Sequence, residues 1–115
     1  MTENNEKVKA LRKSKKFKMI RKDLLEQLEM NGVSSEFYLD LVEDYMTMWI
    51  HKCLLKEDIE NRGVSVEWNN GGGQRGFKKN ESIAEFNKTN AQMLKLLDDL
   101  GIKPSPSEEN EDDDL

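Results

Sequence analysis

Apolar residues recur along this chain at intervals of three and four over three stretches, and at intervals of two over a fourth. In the last stretch, Ile83, Phe86, Met93, Leu97 and Leu100 alternate the helical intervals, and Asn90 fills the one remaining seat. Such alternation draws a narrow seam of the kind that packs one helix on another. Leu100-Gly101 and then Pro104 write its stop, because glycine accepts the left-handed conformation after a last turn and proline cannot continue a helix. Asn80 or Ser82 is placed to cap this helix, which is expected to end near Asp99.

The first stretch predicts a helix from about Lys7 to Met30, firmest from Phe17 on. Met19, Ile20, Leu24, Leu25 and Leu28 form its apolar face, and Asn31-Gly32 closes it. Ser34 or Ser35 can cap the next helix, predicted over Glu36 to Asn61 and about 39 Å long at ~1.5 Å per residue. Tyr38, Leu41, Val42, Tyr45, Met48, Trp49, Leu55 and Ile59 give that helix a stripe wider than one partner helix needs. Neighbouring subunits are therefore expected to complete the core. Tyr45, Trp49, Phe86, Asn90, Met93, Leu97 and Leu100 are the residues expected to carry self-association. Asn90 either fixes register there, as a lone polar group in a seam can, or sits where the seam is partly solvated.

Between the second and third helices the period changes to two. Val64, Val66 and Trp68 alternate with Ser65 and Glu67, the pattern of a half-buried strand. Asn69-Asn70-Gly71-Gly72-Gly73 is turn chemistry, and Gln74 to Lys79 can return as a second strand. The fold expected is mostly α: long helices packed as an antiparallel helical hairpin or coiled coil, a short β-hairpin or ordered loop between helices two and three, and an oligomeric assembly.

Composition narrows this picture. With 115 residues, 36% hydrophobic and 36% charged, the chain has material for one domain with a thin core, which oligomerisation would help complete. The N-terminus lacks the apolar run of a signal peptide, and Met46 to Ile50, the densest apolar patch, is far short of the roughly 20 residues that span a bilayer. The single cysteine, Cys53, excludes an intramolecular disulfide, fits a reducing cytoplasm, and reads as a small buried hydrophobe. His51 is the only histidine, so no second imidazole is available for a metal cluster.

The net charge of −5 conceals two opposite ends. Residues 1–22 hold nine lysines and arginines against two glutamates, whereas Glu108 to Asp114 contribute six acids and no base. Lys9, Arg12, Lys13, Lys15, Lys16, Lys18, Arg21 and Lys22 are candidates for phosphate binding, since such side chains gain free energy by releasing counterions from DNA. Lysine outnumbers arginine there, which suits phosphates better than base edges. The plain alternative is a solvated helix end. Three parts are expected: a basic helical arm over 1–35, a helical core and oligomerisation domain over 36–104, and a disordered acidic tail over 105–115. That tail can mask the basic arm, dock on a partner, or only solubilise.

Two candidate sites carry little. Gly71-Gly72-Gly73 with Arg75, Lys78 and Lys79 resembles a phosphate loop, but the Gly-Lys-Ser/Thr ending that opens a helix is absent; a hairpin turn, or a basic loop touching DNA, fits better. The carboxylate pairs Asp40 with Glu43 or Asp44, and Glu57 with Asp58, have no histidine at ligand spacing. Neither cofactor nor metal is expected, nor enzymatic activity.

The run Asn87 to Leu97, followed by Leu100-Gly101-Ile102-Lys103-Pro104-Ser105, resembles the C-terminal signature of a large family of small terminase subunits of tailed bacteriophages. The likeness extends back to about Tyr38 through Glu57-Asp58-Ile59-Glu60-Asn61-Arg62-Gly63 and Val64-Ser65-Val66. The resemblance implies a non-catalytic protein of the host cytoplasm that forms a ring, binds double-stranded viral DNA, and regulates a separate large subunit holding the ATPase and nuclease. The rivals are a small helical transcriptional regulator, which needs a recognition helix, and a coiled-coil scaffold, which has no use for the basic segment.

Overall fold

The computed structural model describes residues 2–103; the acidic segment expected to be a disordered tail lies outside the described residues. Four helices and one β-ribbon follow in the order α1 (Thr2–Lys13), α2 (Lys15–Met30), α3 (Glu36–Arg62), β1 (Ser65–Asn69), β2 (Arg75–Lys79) and α4 (Glu81–Leu100). The mostly helical fold with a two-stranded antiparallel hairpin ahead of the last helix is the one the periodicities predict.

The single first helix expected over Lys7 to Met30 is in fact two. Ser14 is extended (φ −68°, ψ 150°), its Oγ accepts from the Phe17 N–H at 3.2 Å, and the same hydroxyl donates to the Leu11 carbonyl at 2.7 Å. Phase explains the break. Val8 and Leu11 face the core, as do Phe17, Ile20, Leu24 and Leu28. At about 100° per residue an unbroken helix would aim Leu11 and Phe17 roughly 120° apart. The interruption at Ser14 resets the phase, so both apolar faces meet α3.

Both flanks of α3 are covered within the chain. Lys7–Glu57, Phe17–Trp49 and Arg21–Glu43 run down α3 as they run up α1 and α2, so that pair is antiparallel to it. Ser82–Asp58 and Lys52–Asn90 set α4 antiparallel on the other flank. Phe17, Leu24, Leu28, Val42, Met46, Ile50 and Leu100 make one buried cluster. Fully burying a side chain such as Leu28 contributes about 1.5–3 kcal/mol. The broad stripe of α3 is thus occupied by α1, α2 and α4 of the same chain.

The stops are as written. The Ile102 N–H donates to the Leu97 carbonyl at 2.9 Å across Gly101, whose φ of 71° is left-handed and glycine-suited. The Val33 N–H bonds Leu28 in the same manner after α2. At the start of α3, Ser35 holds the cap position but its side chain makes no capping bond.

The hairpin pairs Ser65 with Lys79, Glu67 with Phe77 and Trp68 with Gly76. The half-buried face expected for its first strand is only partly formed: Val66 is half-buried, whereas Trp68 is 38% exposed and Val64, just before the strand, 69%. Trp68 lies across Gly76 so closely that a Cβ there would stand 2.8 Å from the indole Nε1.

A buried amide anchors the hairpin to the helices. Asn80 is 1% exposed; its Oδ1 accepts from the Ser82 N–H and from Arg62 Nη2, both at 2.9 Å, and its Nδ2 donates to the Gly63 carbonyl at 3.0 Å. Arg62 also forks onto both oxygens of Asp58 at 2.7–2.8 Å, and the Ser82 hydroxyl donates to Asp58 at 2.6 Å. One connected set therefore ties the end of α3, the base of the ribbon and the start of α4. The Arg62 fork, and after it the Ser82 hydroxyl, hold the Asp58 carboxyl down to about 2.

Candidate nucleic-acid interface

Because the apolar faces of α1 and α2 turn inward on either side of Ser14, their lysines and arginines turn outward. Lys9, Arg12 and Lys13 on α1, and Lys15, Lys16, Lys18, Arg21 and Lys22 on α2, are all exposed. The two helices share one side of α3, so the break at Ser14 lies inside the basic run.

The eight candidates are not equivalent. Arg21 is spent on Glu43, donating from Nε at 2.9 Å and from Nη2 at 2.6 Å, and that partner raises its pKa further. Lys22 lies 3.8 Å from Glu26. Lys16 contributes, with Lys52 and Lys56 of α3, to the positive field around Cys53. Burial pushes that thiol up, and the three ammonium groups pull it the other way. The positive surface therefore extends from α1 and α2 onto α3, which a reading confined to residues 1–22 did not include. A run of lysine at positions 52 and 56, one helical turn apart, was the available signal.

The residues expected to carry self-association all have places inside one chain. Trp49 meets Phe17 edge-on with centroids 5.7 Å apart. Tyr45 is half-buried, and burial raises its phenol pKa. Met93 and Leu100 are buried, while Leu97 packs partly buried against the core. The Lys52 ammonium donates to Asn90 Oδ1 at 2.7 Å and stands 5.7 Å from the Phe86 ring centroid. Asn90 is thus half-buried and bonded across the α3–α4 seam.

The antiparallel register also sorts charge along the molecule. Residues 23–51 contain seven acids and no lysine or arginine. They occupy the latter part of α2 and the first half of α3, level with the end of α4, which adds the exposed Asp98 and Asp99. The opposite end holds α1, the start of α2, Lys52, Lys56 and the hairpin with Arg75, Lys78 and Lys79. Glu57, Asp58, Glu60, Glu67 and Glu81 share that end, so its excess of positive charge lies on the outward face of α1 and α2, while the other end is strongly acidic. A polyanion is drawn to that face and repelled by the acidic end.

Among the described residues no three His, Cys, Asp or Glu side chains group to hold a metal, and no helix is long and apolar enough to cross a membrane. Comparison with curated proteins and with solved structures gives no match. A family model described as phage terminase, small subunit, matches residues 18–111, which takes in α3, the hairpin and α4 and leaves Lys9 to Lys16 outside. With that match over most of its length, the chain belongs to the small subunit family of phage terminases.

Proposed function

We propose that this chain is the non-catalytic DNA-binding subunit of a phage packaging motor. It holds double-stranded DNA on the basic face of α1 and α2 and regulates a large subunit that carries the ATPase and nuclease. The observation that carries the reading is the outward row of Lys9, Arg12, Lys13, Lys15, Lys16 and Lys18, all exposed and set opposite the acidic end of the molecule. These are phosphate ligands by chemistry, and lysine-rich contacts fix position on a duplex without reading bases. The face acts as an electrostatic cradle.

The protein also assembles with copies of itself in this reading. Met93, Leu97 and Leu100 hold α4 on α3, and the assembly draws on apolar groups left exposed once the chain has folded, among them Phe37, Leu94 and Phe77. Substituting Lys13, Lys15 and Lys16 together by glutamate tests the DNA face. Fluorescence anisotropy with a phage-end duplex and an unrelated duplex should show the same loss, on the order of a hundredfold, for both. An unchanged helical circular dichroism spectrum would confirm the fold. Retained affinity in that variant would move the contact elsewhere, with Arg75 and Lys79 next.

A further inference from the structure

The β1–β2 ribbon leaves one face open. Alternation along β2 puts Phe77 between Arg75 and Lys79 on that face, with Glu67 of β1 opposite Phe77, while Trp68 lies across Gly76 on the other. Phe77 is 75% exposed, and neither Arg75 nor Lys79 makes an ion pair among the described residues. A two-stranded ribbon is marginally stable in water unless a face packs on further structure. Only the base of this one is tied down, through Asn80 to Gly63 and Arg62.

A groove that suits such a face lies toward the other end of α3. Leu25 of α2, Val33 of the following turn and Leu39 of α3 line it, all half-buried, and Glu29 and Glu43 wall it. Its volume of about 420 Å³ is ample for a phenyl ring, since a cavity of ~150 Å³ holds benzene. The surroundings are acidic, because residues 23–51 hold seven acids and no lysine or arginine. Arg21 also borders the groove but is tied to Glu43, whereas Glu29 makes no ion pair among the described residues. An aromatic ring flanked by two cations thus has a counterpart in an aliphatic groove with an open carboxylate.

The two cannot meet within one chain. Leu39 and Arg62 are 23 residues apart on α3, about 35 Å at ~1.5 Å per residue. Phe77 is three residues from Asn80, at most about 11 Å along the chain, and Asn80 is bonded to Arg62. We propose that the Phe77 face of one copy's ribbon docks in the Leu25–Val33–Leu39 groove of a second copy, with Arg75 and Lys79 against its acidic surround. This rests on the self-assembly in the reading above and names the two surfaces that meet. Each chain carries one ribbon and one groove, so the contact joins unlike patches.

The test uses the full-length chain and two variants of it. Phe77→Ser with Arg75→Gln removes the ribbon face; Leu39→Gln with Glu29→Gln removes the groove, and Leu39→Ala replaces Leu39→Gln if circular dichroism shows a loss of helix. Sedimentation equilibrium at up to about 1 mM protein registers even a millimolar Kd. The natural chain should be a dimer or larger, and each variant alone a monomer. Mixing the two variants should give a 1:1 dimer and nothing larger, since one intact ribbon meets one intact groove and no further pair is left. Variants that keep the natural mass, or a mixture that stays monomeric, overturn the inference. Weakened DNA binding by the Phe77→Ser, Arg75→Gln variant at unchanged mass also overturns it and gives the ribbon to DNA. A natural chain that is monomeric throughout overturns the self-assembly in the reading above together with this contact, whereas a multimeric natural chain with unaltered variants overturns the contact alone.

Discussion

Replacing the buried Asn80 by alanine should cost more than truncating an exposed polar side chain of this molecule. Asn80 is 1% exposed and makes three side-chain hydrogen bonds, to Ser82, Arg62 and Gly63. Loss of the cap on α4 contributes about 1 kcal/mol. The Gly63 carbonyl then loses its donor, at about 1–3 kcal/mol if it stays dry, and Gly63 is only half-buried, which places this at the lower end. Arg62 keeps its fork on Asp58, so its lost bond adds little. The total is about 2–3 kcal/mol. In urea, with a slope of about 1–3 kcal/mol per molar, the midpoint should fall by roughly 1–2 M at unchanged slope. Circular dichroism at fixed protein concentration measures this, because assembly would otherwise shift the midpoint by mass action. Asn80→Ser, which keeps a capping oxygen, should recover about 1 kcal/mol. A loss below about 0.5 kcal/mol in Asn80→Ala would refute the claim that this amide joins the hairpin to the helices.

Two further outcomes follow from single contacts. Asp58 has its folded-state pKa lowered to about 2 from an ordinary value near 3.8, so its stabilising contribution is complete above about pH 4 and disappears as pH falls toward 2. Asp58→Asn should flatten acid unfolding in that window and leave the pH 6–8 plateau without slope. Gly76→Ala should displace the Trp68 indole, since the new methyl would stand 2.8 Å from its Nε1. Tryptophan emission should shift while stability changes by less than about 1 kcal/mol, because the clash is with a surface side chain that can rotate.

Local signals were legible, and relations among elements were not. Gly101 and Gly32 stop their helices where the sequence places them, and the alternation of Val64, Val66 and Trp68 marks a strand. Ser14 was missed because Lys15 and Lys16 are good helix formers and no glycine or proline punctuates the run. The one-residue slip in apolar phase between Leu11 and Phe17 was the signal that identifies it. The stripe on α3 was read off its centre, since Met46 and Ile50, which with Val42 are the buried residues of that helix, were not in it, and periodicity does not distinguish a neighbour's helix from the chain's own α1 and α2. Nor could linear charge show that residues 23–51 and Asp98-Asp99 gather at one end, since that depends on the register of three helices. At the DNA face the lysines were legible as a class. The engagement of Arg21 by Glu43 was not.

The central claim is that DNA binds through phosphates on the α1–α2 face, and the salt dependence of affinity measures it most directly. Full-length protein and a variant with Lys9, Arg12, Lys13, Lys15, Lys16 and Lys18 changed to glutamine are titrated onto one duplex between about 50 and 200 mM salt. Each phosphate neutralised contributes about −0.9 to the slope of log K against log salt concentration. The natural chain should give a steep slope, and the variant should lose up to about 5 from its magnitude along with most of its affinity. A variant that keeps both slope and affinity would contradict the account.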